Sequence, residues 1–405
     1  MVKIDPFEVD HWILTRHARA KHSLAHSYCA SLSINDLQSY SGGSNDVNTS
    51  WASLLSKPMG YGPMQGSEDL RSKISNLYSD KSSEDLPIDN IVTTPGASLA
   101  NFLVLFALLG PGDHVVVQYP TYQQLYSLPA SVGADVSLWK AKENEGWRLD
   151  LEELKQLIKP NTKMIVINNP VNPTGAAIPR MALEAIVEIA KERSIIIFSD
   201  EVYYPLFHSI ESTDRELPPS ILSLGYENTI ATSSLSKTYS LPGFRLGWIA
   251  SRNPSYIDTC VNARSYALIT VSQVDEPLAS LALGAPTVQN LINRNLALSR
   301  HNVEVVQSFI DRNSTISEWV RPVGGPIGFI KFTKSGRPVD DAEFCTRLLD
   351  KKGVLLVPGK KCFGDGYDYQ GYVRLGFGVR TEDLEAALDA LQRFLDEDYA
   401  GVPVV

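Results

Sequence analysis

An α/β fold, with a large domain on a mostly parallel sheet and a smaller α+β unit after it, is what this 405-residue sequence predicts, and three observations carry that expectation. Runs such as Met164–Ile167 and Ile195–Phe198 are apolar at every position, the pattern of strands buried on both faces of a sheet. Between residues 90 and 250 such runs alternate with helical stretches, as in a parallel sheet with crossover helices. Beyond Pro254 the pattern turns helical to about Arg312, then breaks into short strands and turns closed by one amphipathic helix. The chain divides accordingly into an N-terminal arm over 1–45 packing with the small domain, a large domain over 46–280 and a small C-terminal domain over 281–405.

The arm is weakly periodic, carries Trp12 and Cys29, and ends near Ser-Gly-Gly-Ser at 41–44, which reads as a linker. Tyr61-Gly62-Pro63-Met64-Gln65-Gly66 forms a turn ahead of a helix reaching about Leu77. A strand over Asn90–Thr94 passes through Pro95-Gly96-Ala97-Ser98 into an apolar helix over 99–109. Small residues at a helix start leave free N–H groups that suit an anion. His114–Gln118 is a second strand, ending at Tyr119-Pro120-Thr121-Tyr122, and Asp150 is placed to cap a helix over 151–158.

Strand Met164–Asn168 leads into Asn169-Pro170-Val171-Asn172-Pro173-Thr174-Gly175. Two Asn–Pro steps keep the backbone non-helical and leave the Asn172 amide free to face a ligand. An amphipathic helix over 181–192 precedes strand Ile195–Phe198, and Asp200 and Tyr203 follow at the strand's carboxyl end, where α/β folds place ligand-binding groups. Strand Thr229–Thr232 feeds Ser233–Gly247, in which Lys237 sits among Ser233, Ser234, Ser236 and Thr238, with Pro242-Gly243 and Arg245 beyond. A lysine that does covalent chemistry must be partly desolvated so that its amine is neutral near pH 7. Hydroxyls with an arginine suit a phosphate dianion.

In the C-terminal part, Pro277 and Pro286 are expected breaks in the helical region. Val323–Ile330, Gly353–Gly359 and Tyr372–Gly378 read as strands and turns, with Arg374 in the last; its planar, permanently charged fork suits a carboxylate. Thr381 is expected to cap the final helix, with Leu384, Leu388, Leu391 and Leu395 inward. The net charge of -9 speaks against nucleic-acid or anionic-membrane partners. Four widely spaced cysteines (Cys29, Cys260, Cys345, Cys362) lack the pairing of a metal site or a disulfide framework. A charged N-terminus, and no apolar run near the ~18 residues of a membrane span, lead us to expect a cytoplasmic protein.

In this order over residues 61–378, the segments resemble the class I/II aminotransferases, fold-type I enzymes that use pyridoxal 5′-phosphate (PLP). The resemblance implies an enzyme acting at Cα of an α-amino acid, with PLP held as a Schiff base on Lys237, which then serves as general base and acid. It implies that Asp200 keeps the cofactor's ring nitrogen protonated, that Tyr122 stacks on the ring and that Asn172 and Tyr203 meet its O3′ oxygen. Ala97, Ser98, Ser234 and Arg245 would hold the phosphate, joined by Tyr61 reaching across from a neighbouring subunit. Arg374, with Asn172, would bind the substrate's α-carboxylate. A homodimer with shared active sites, an amino-acid substrate and a keto-acid acceptor follow, with no metal.

The arm departs from the family pattern. In place of the usual Gly-x-Pro segment it reads Ser31-Leu32-Ser33-Ile34-Asn35-Asp36-Leu37 after Trp12 and Cys29. That resembles the capreomycidine-synthase-like branch, which eliminates and cyclises. A PLP-dependent lyase or cyclase, including carbon–sulfur lyase-like β/γ-elimination, is therefore the alternative to transamination. A PLP-binding transcription regulator would need an attached DNA-binding domain, and the 60 residues before Tyr61 show no helix-turn-helix pattern. A catalytically dead homologue is disfavoured because Lys237, Asp200 and Arg374 are all present.

Overall fold

The computed structural model describes residues 4–41, 54–79 and 85–405; of the 41–44 linker only Ser41 is among them. The arm contains α1 (Glu8–Arg16), β1 (His22–Ser23) and α2 (Ile34–Tyr40), and α3 (Glu68–Asn76) opens the large domain. A seven-stranded sheet follows, from β2 (Ile91–Thr94), β3 (His114–Tyr119), β4 (Asp135–Lys140), β5 (Thr162–Asn168), β6 (Ile196–Asp200), β7 (Thr229–Ser234) and β8 (Gly247–Ser251), in the order β2-β8-β7-β6-β5-β3-β4. Strands β3 to β7 pair in parallel, and β8 runs antiparallel to both β2 and β7. Helices α4 (Ala97–Leu108), α5 (Gln124–Ser131), α6 (Leu151–Leu157) and α7 (Arg180–Lys191) form the crossovers.

The uninterrupted apolar strands have a direct structural cause. Side chains alternate across a sheet, so Met164 and Val166 of β5 join the core under α4 and α5, while Ile165 and Ile167 join the core under α7. Both faces are covered, so every position must be apolar.

Helices α8 (Pro254–Arg264), α9 (Asp275–Leu283) and α10 (Thr287–Arg312) lead out of the large domain. Leu291 and Ile292 of α10 pack in the large-domain core, whereas Val303, Val306, Phe309 and Ile310 pack in the C-terminal core, so this helix spans both. The small domain contains β9 (Ser317–Trp319), β10 (Ile327–Lys334), β11 (Arg337–Pro338), α11 (Asp341–Lys352), β12 (Val354–Leu355), β13 (Val357–Pro358), α12 (Gly359–Cys362), β14 (Tyr372–Gly376) and α13 (Thr381–Glu397). Its sheet is antiparallel, in the order β11-β10-β14-β13 with β9 against β10. The arm lies across this unit: β1 pairs with β12 in parallel, and the Trp12 indole donates to the Leu356 carbonyl at 2.9 Å.

Three local expectations differ from the structure. The apolar helix starts at Ala97, two residues early, because Gly96 takes a left-handed conformation (φ 80°) and ends the turn there. Pro277 lies inside the first turn of α9, where no backbone donor is needed; the break falls over 265–274 instead. Thr381 does not cap α13, since its hydroxyl donates to Asn302 Oδ1 at 2.8 Å and ties the helix to α10. All four cysteines are buried and free. Among the described residues no helix is long and apolar enough to cross a membrane.

Candidate active site

A cavity of about 390 Å³ opens where the large sheet meets the N-terminus of α4, the arm and β14. Of the residues singled out in the sequence, Ala97, Ser98, Tyr122, Asn172, Asp200, Tyr203, Ser234, Lys237, Arg245 and Arg374 line it. Tyr61 does not, and its side chain is 80% exposed.

Lys237 follows β7 in a tight turn. Its Nζ donates to Ser27 Oγ at 2.9 Å and lies 5.4 Å from the centre of the Tyr28 ring. Burial, reinforced by the positive charge of Arg374, brings its pKa down to about 8. Loss of water and a neighbouring cation both disfavour the ammonium form.

Asp200 is the last residue of β6 and is buried. Asn101 Nδ2 donates to its Oδ2 at 2.8 Å and the Val202 N–H to its Oδ1 at 3.1 Å. Thr232 donates to Asn101 Oδ1 at 2.6 Å, which fixes the way the amide faces. Burial raises the pKa of Asp200 against these hydrogen bonds. A cation facing this carboxylate would favour its ionised form.

A polar relay links β5 to β14. Asn168 Oδ1 accepts from the Asn172 N–H at 2.8 Å, and Asn168 Nδ2 donates to the Asp200 carbonyl at 2.8 Å. Arg374 Nη1 donates to Asn172 Oδ1 at 3.1 Å, which leaves the Asn172 NH₂ for the cavity. Arg374 is 2% exposed, spends Nη2 on the Ala25 carbonyl at 2.5 Å, and has no partner on Nε. Among the described residues no carboxylate lies within ion-pair distance of it. A buried cation without a counter-ion is costly, and an anionic ligand is the natural partner.

Arg245 takes a left-handed backbone conformation (φ 43°) and donates from Nη1 to the Pro242 carbonyl at 3.1 Å and to Ser236 Oγ at 3.4 Å. Its guanidinium crosses Gly96 so closely that a Cβ there would stand 2.6 Å from Nη2. Gly96 therefore brings a cation to the start of α4, beside Ser98, Ser234 and Ser236. Free helical N–H groups, hydroxyls and a guanidinium are a donor set for phosphate. Tyr122 packs edge-on against Phe7 with centroids 5.1 Å apart, and Tyr203 is fully buried, its phenol pushed up to about 12 by burial.

This set fits PLP: a desolvated lysine, phosphate donors, a buried carboxylate, and an unsatisfied arginine for a substrate carboxylate share one cavity. Sequence reasoning missed Asn101, Thr232, Asn168 and Ser27, which come from a helix interior, strand ends and the arm with no local motif to mark them.

The family model described as aminotransferase class I and II matches residues 40–391. A solved PLP-dependent aminotransferase from Streptococcus suis superposes with a TM-score of 0.87 at 38% identity, covering 97% of this chain and 98% of that one. An aspartate aminotransferase of Thermotoga maritima is 30% identical over 354 residues, 83% of each chain. A capreomycidine synthase of Streptomyces vinaceus is 29% identical, covering 84% of this chain and 82% of its own.

Proposed function

We infer the reaction from one premise: this chain belongs to the class I and II aminotransferases and is a PLP-dependent enzyme. The reading supported best is transfer of the amino group of an α-amino acid to a keto acid. The observation that carries it is Arg374, a buried guanidinium that forms no ion pair among the described residues and lines the same cavity as the desolvated Lys237.

When bound, PLP supplies an electron sink for negative charge developing at the substrate's Cα. Arg374 holds the α-carboxylate with a fork that matches it, its orientation set by Asn172 and the Ala25 carbonyl. The Lys237 amine would take the proton from Cα and return one at the cofactor's C4′ carbon, on the far side of the substrate nitrogen; a pKa of about 8 gives it a neutral fraction at physiological pH and a conjugate acid that can donate. Asp200 would hold a proton at the cofactor's ring nitrogen. Asn172 and Tyr203 would hydrogen-bond the O3′ oxygen, and Tyr122 would pack against the ring. Ala97, Ser98, Ser234 and Arg245 would hold the phosphate, with Tyr61 of a second copy of the chain completing that set.

The same carbanion chemistry can instead expel a leaving group. The likeness to a capreomycidine synthase favours elimination and cyclisation as the second reading. A panel of amino acids, added to holoenzyme without keto acid, separates the two. Conversion to the pyridoxamine form, with one equivalent of keto acid released, is the expected result. Product accumulating with PLP regenerated would overturn transamination in favour of the second reading.

A further inference from the structure

The Lys237 amine meets two side chains from a part of the chain that brings no motif to the site. Its Nζ donates to Ser27 Oγ at 2.9 Å, a contact across 210 positions. The next residue, Tyr28, presents the face of its ring to the same nitrogen at 5.4 Å. The arm bends at Tyr28, which lets two consecutive side chains address one atom. Both residues line the cavity, and Ser27 is 7% exposed.

The place of Ser27 is fixed by the small domain. The Gly376 N–H donates to the Leu24 carbonyl at 2.7 Å, Arg374 Nη2 to the Ala25 carbonyl at 2.5 Å, and the Ala30 N–H to the Gly378 carbonyl at 2.6 Å. The arm passes so close to the end of β14 that a Cβ on Gly376 would stand 1.8 Å from the His26 carbonyl oxygen. Ser27 is thus anchored on the strand that carries Arg374, whereas Lys237 follows β7 of the large sheet. Burial pushes the Tyr203 phenol up, with Arg374 and the Ser27 hydroxyl working against that rise. The hydroxyl therefore acts on Tyr203 as well as on Lys237.

We propose that Ser27 is a positioning residue for the proton transfer at Cα: its Oγ takes one N–H of the Lys237 amine whenever that amine is free of the cofactor, and so aims the nitrogen's lone pair. A lysine amine stands on a flexible four-carbon stem with rotatable donors, yet a base must come within hydrogen-bond reach of the proton it takes. One N–H committed to Ser27 removes most of that freedom. In the transfer, the Nζ lone pair forms the new N–H bond and the electrons of the broken Cα–H bond pass to the cofactor's electron sink. Lys237 is then an ammonium with three donors. Ser27 Oγ keeps its hydrogen bond, and the Tyr28 face lies beside the new positive charge. Release of the proton at C4′ returns the neutral amine to the same two neighbours.

This inference rests on the PLP-dependent reading and holds for transamination and elimination alike, since both begin with loss of the α-proton. Holoenzyme in deuterium oxide is given the proteinogenic amino acids one at a time, without added keto acid, and exchange of the α-proton is followed by proton NMR. The amino acid that exchanges fastest with wild type is then used with Ser27→Ala. The variant's exchange rate at saturating amino acid should fall about tenfold or more, the effect of a lost hydrogen bond on a base that must be aimed. Its half-saturating concentration, and its retention of PLP on dialysis, should stay within about twofold of wild type, because the lost contact serves the transfer and not binding. A Ser27→Ala rate equal to that of wild type overturns the proposal. So does a variant that loses PLP, or whose half-saturation weakens in step with its rate, which would make Ser27 a part of the scaffold or of the binding face. A wild-type holoenzyme that exchanges the α-proton of none of these amino acids overturns the PLP-dependent reading, and this one with it.

Discussion

Two like charges share one wall of the cavity, and that proximity tunes the chemistry. Among the described residues no carboxylate lies within ion-pair distance of Arg374, so its field acts on Lys237 and adds to the effect of burial. The shift is downward from the ordinary lysine value of 10.5 to about 8, so the neutral, nucleophilic amine grows with pH and dominates above about 8. The rate at which apoprotein takes up PLP should therefore climb about tenfold per pH unit below 8 and level above it. A rate still climbing at pH 10 would show an unperturbed lysine. At this scale the sequence was legible where neighbours in the chain are neighbours in the site, as in Ser233–Gly247 and Asn169–Gly175. It was silent where a buried partner comes from far away: Asn101 meets Asp200 across 99 positions, and Ser27 meets Lys237 across 210.

Among the elements, the segment carrying Tyr61 stands apart from the cavity it was expected to serve. Leu55, Met59, Tyr61 and Met64 are exposed, as are Tyr266 and Ile269 on the 265–274 connection. The two stretches touch, since Lys57 donates to Gln273 at 3.3 Å and Gly62 lies against the Gln273 side chain. An apolar surface of this kind marks an interaction face, and the proposed homodimer covers it. The protein should have a dimeric mass in solution, and Tyr61→Phe should lose PLP on dialysis faster than wild type. A monomer that retains its cofactor would remove Tyr61 from the site. Strands and crossover helices were readable because two-sided burial leaves an unbroken apolar run. The exact roles of Pro277 and Thr381 were not, because a first-turn proline or a threonine at a helix start serves either of two local structures and tertiary contacts choose between them.

Across the whole molecule, the arm and the long helix α10 tie two cores around one cavity. The sheet supplies Asn172, Asp200 and Lys237 from neighbouring strands and their ends, the small domain supplies Arg374, and the arm supplies Ser27, Tyr28 and Asp10. Only the first two contributions follow from the sequence. The arm's residues carry no motif, and their place depends on β1 pairing with β12 and on Trp12 reaching Leu356. The central claim is that Lys237 holds the cofactor. Borohydride reduction of the holoenzyme followed by peptide mass spectrometry tests it most directly. A single pyridoxyl adduct on Lys237, absent from Lys237→Ala along with the visible band of the lysine-bound cofactor, is the predicted result. An adduct on another lysine, or an unchanged band in Lys237→Ala, would contradict the account.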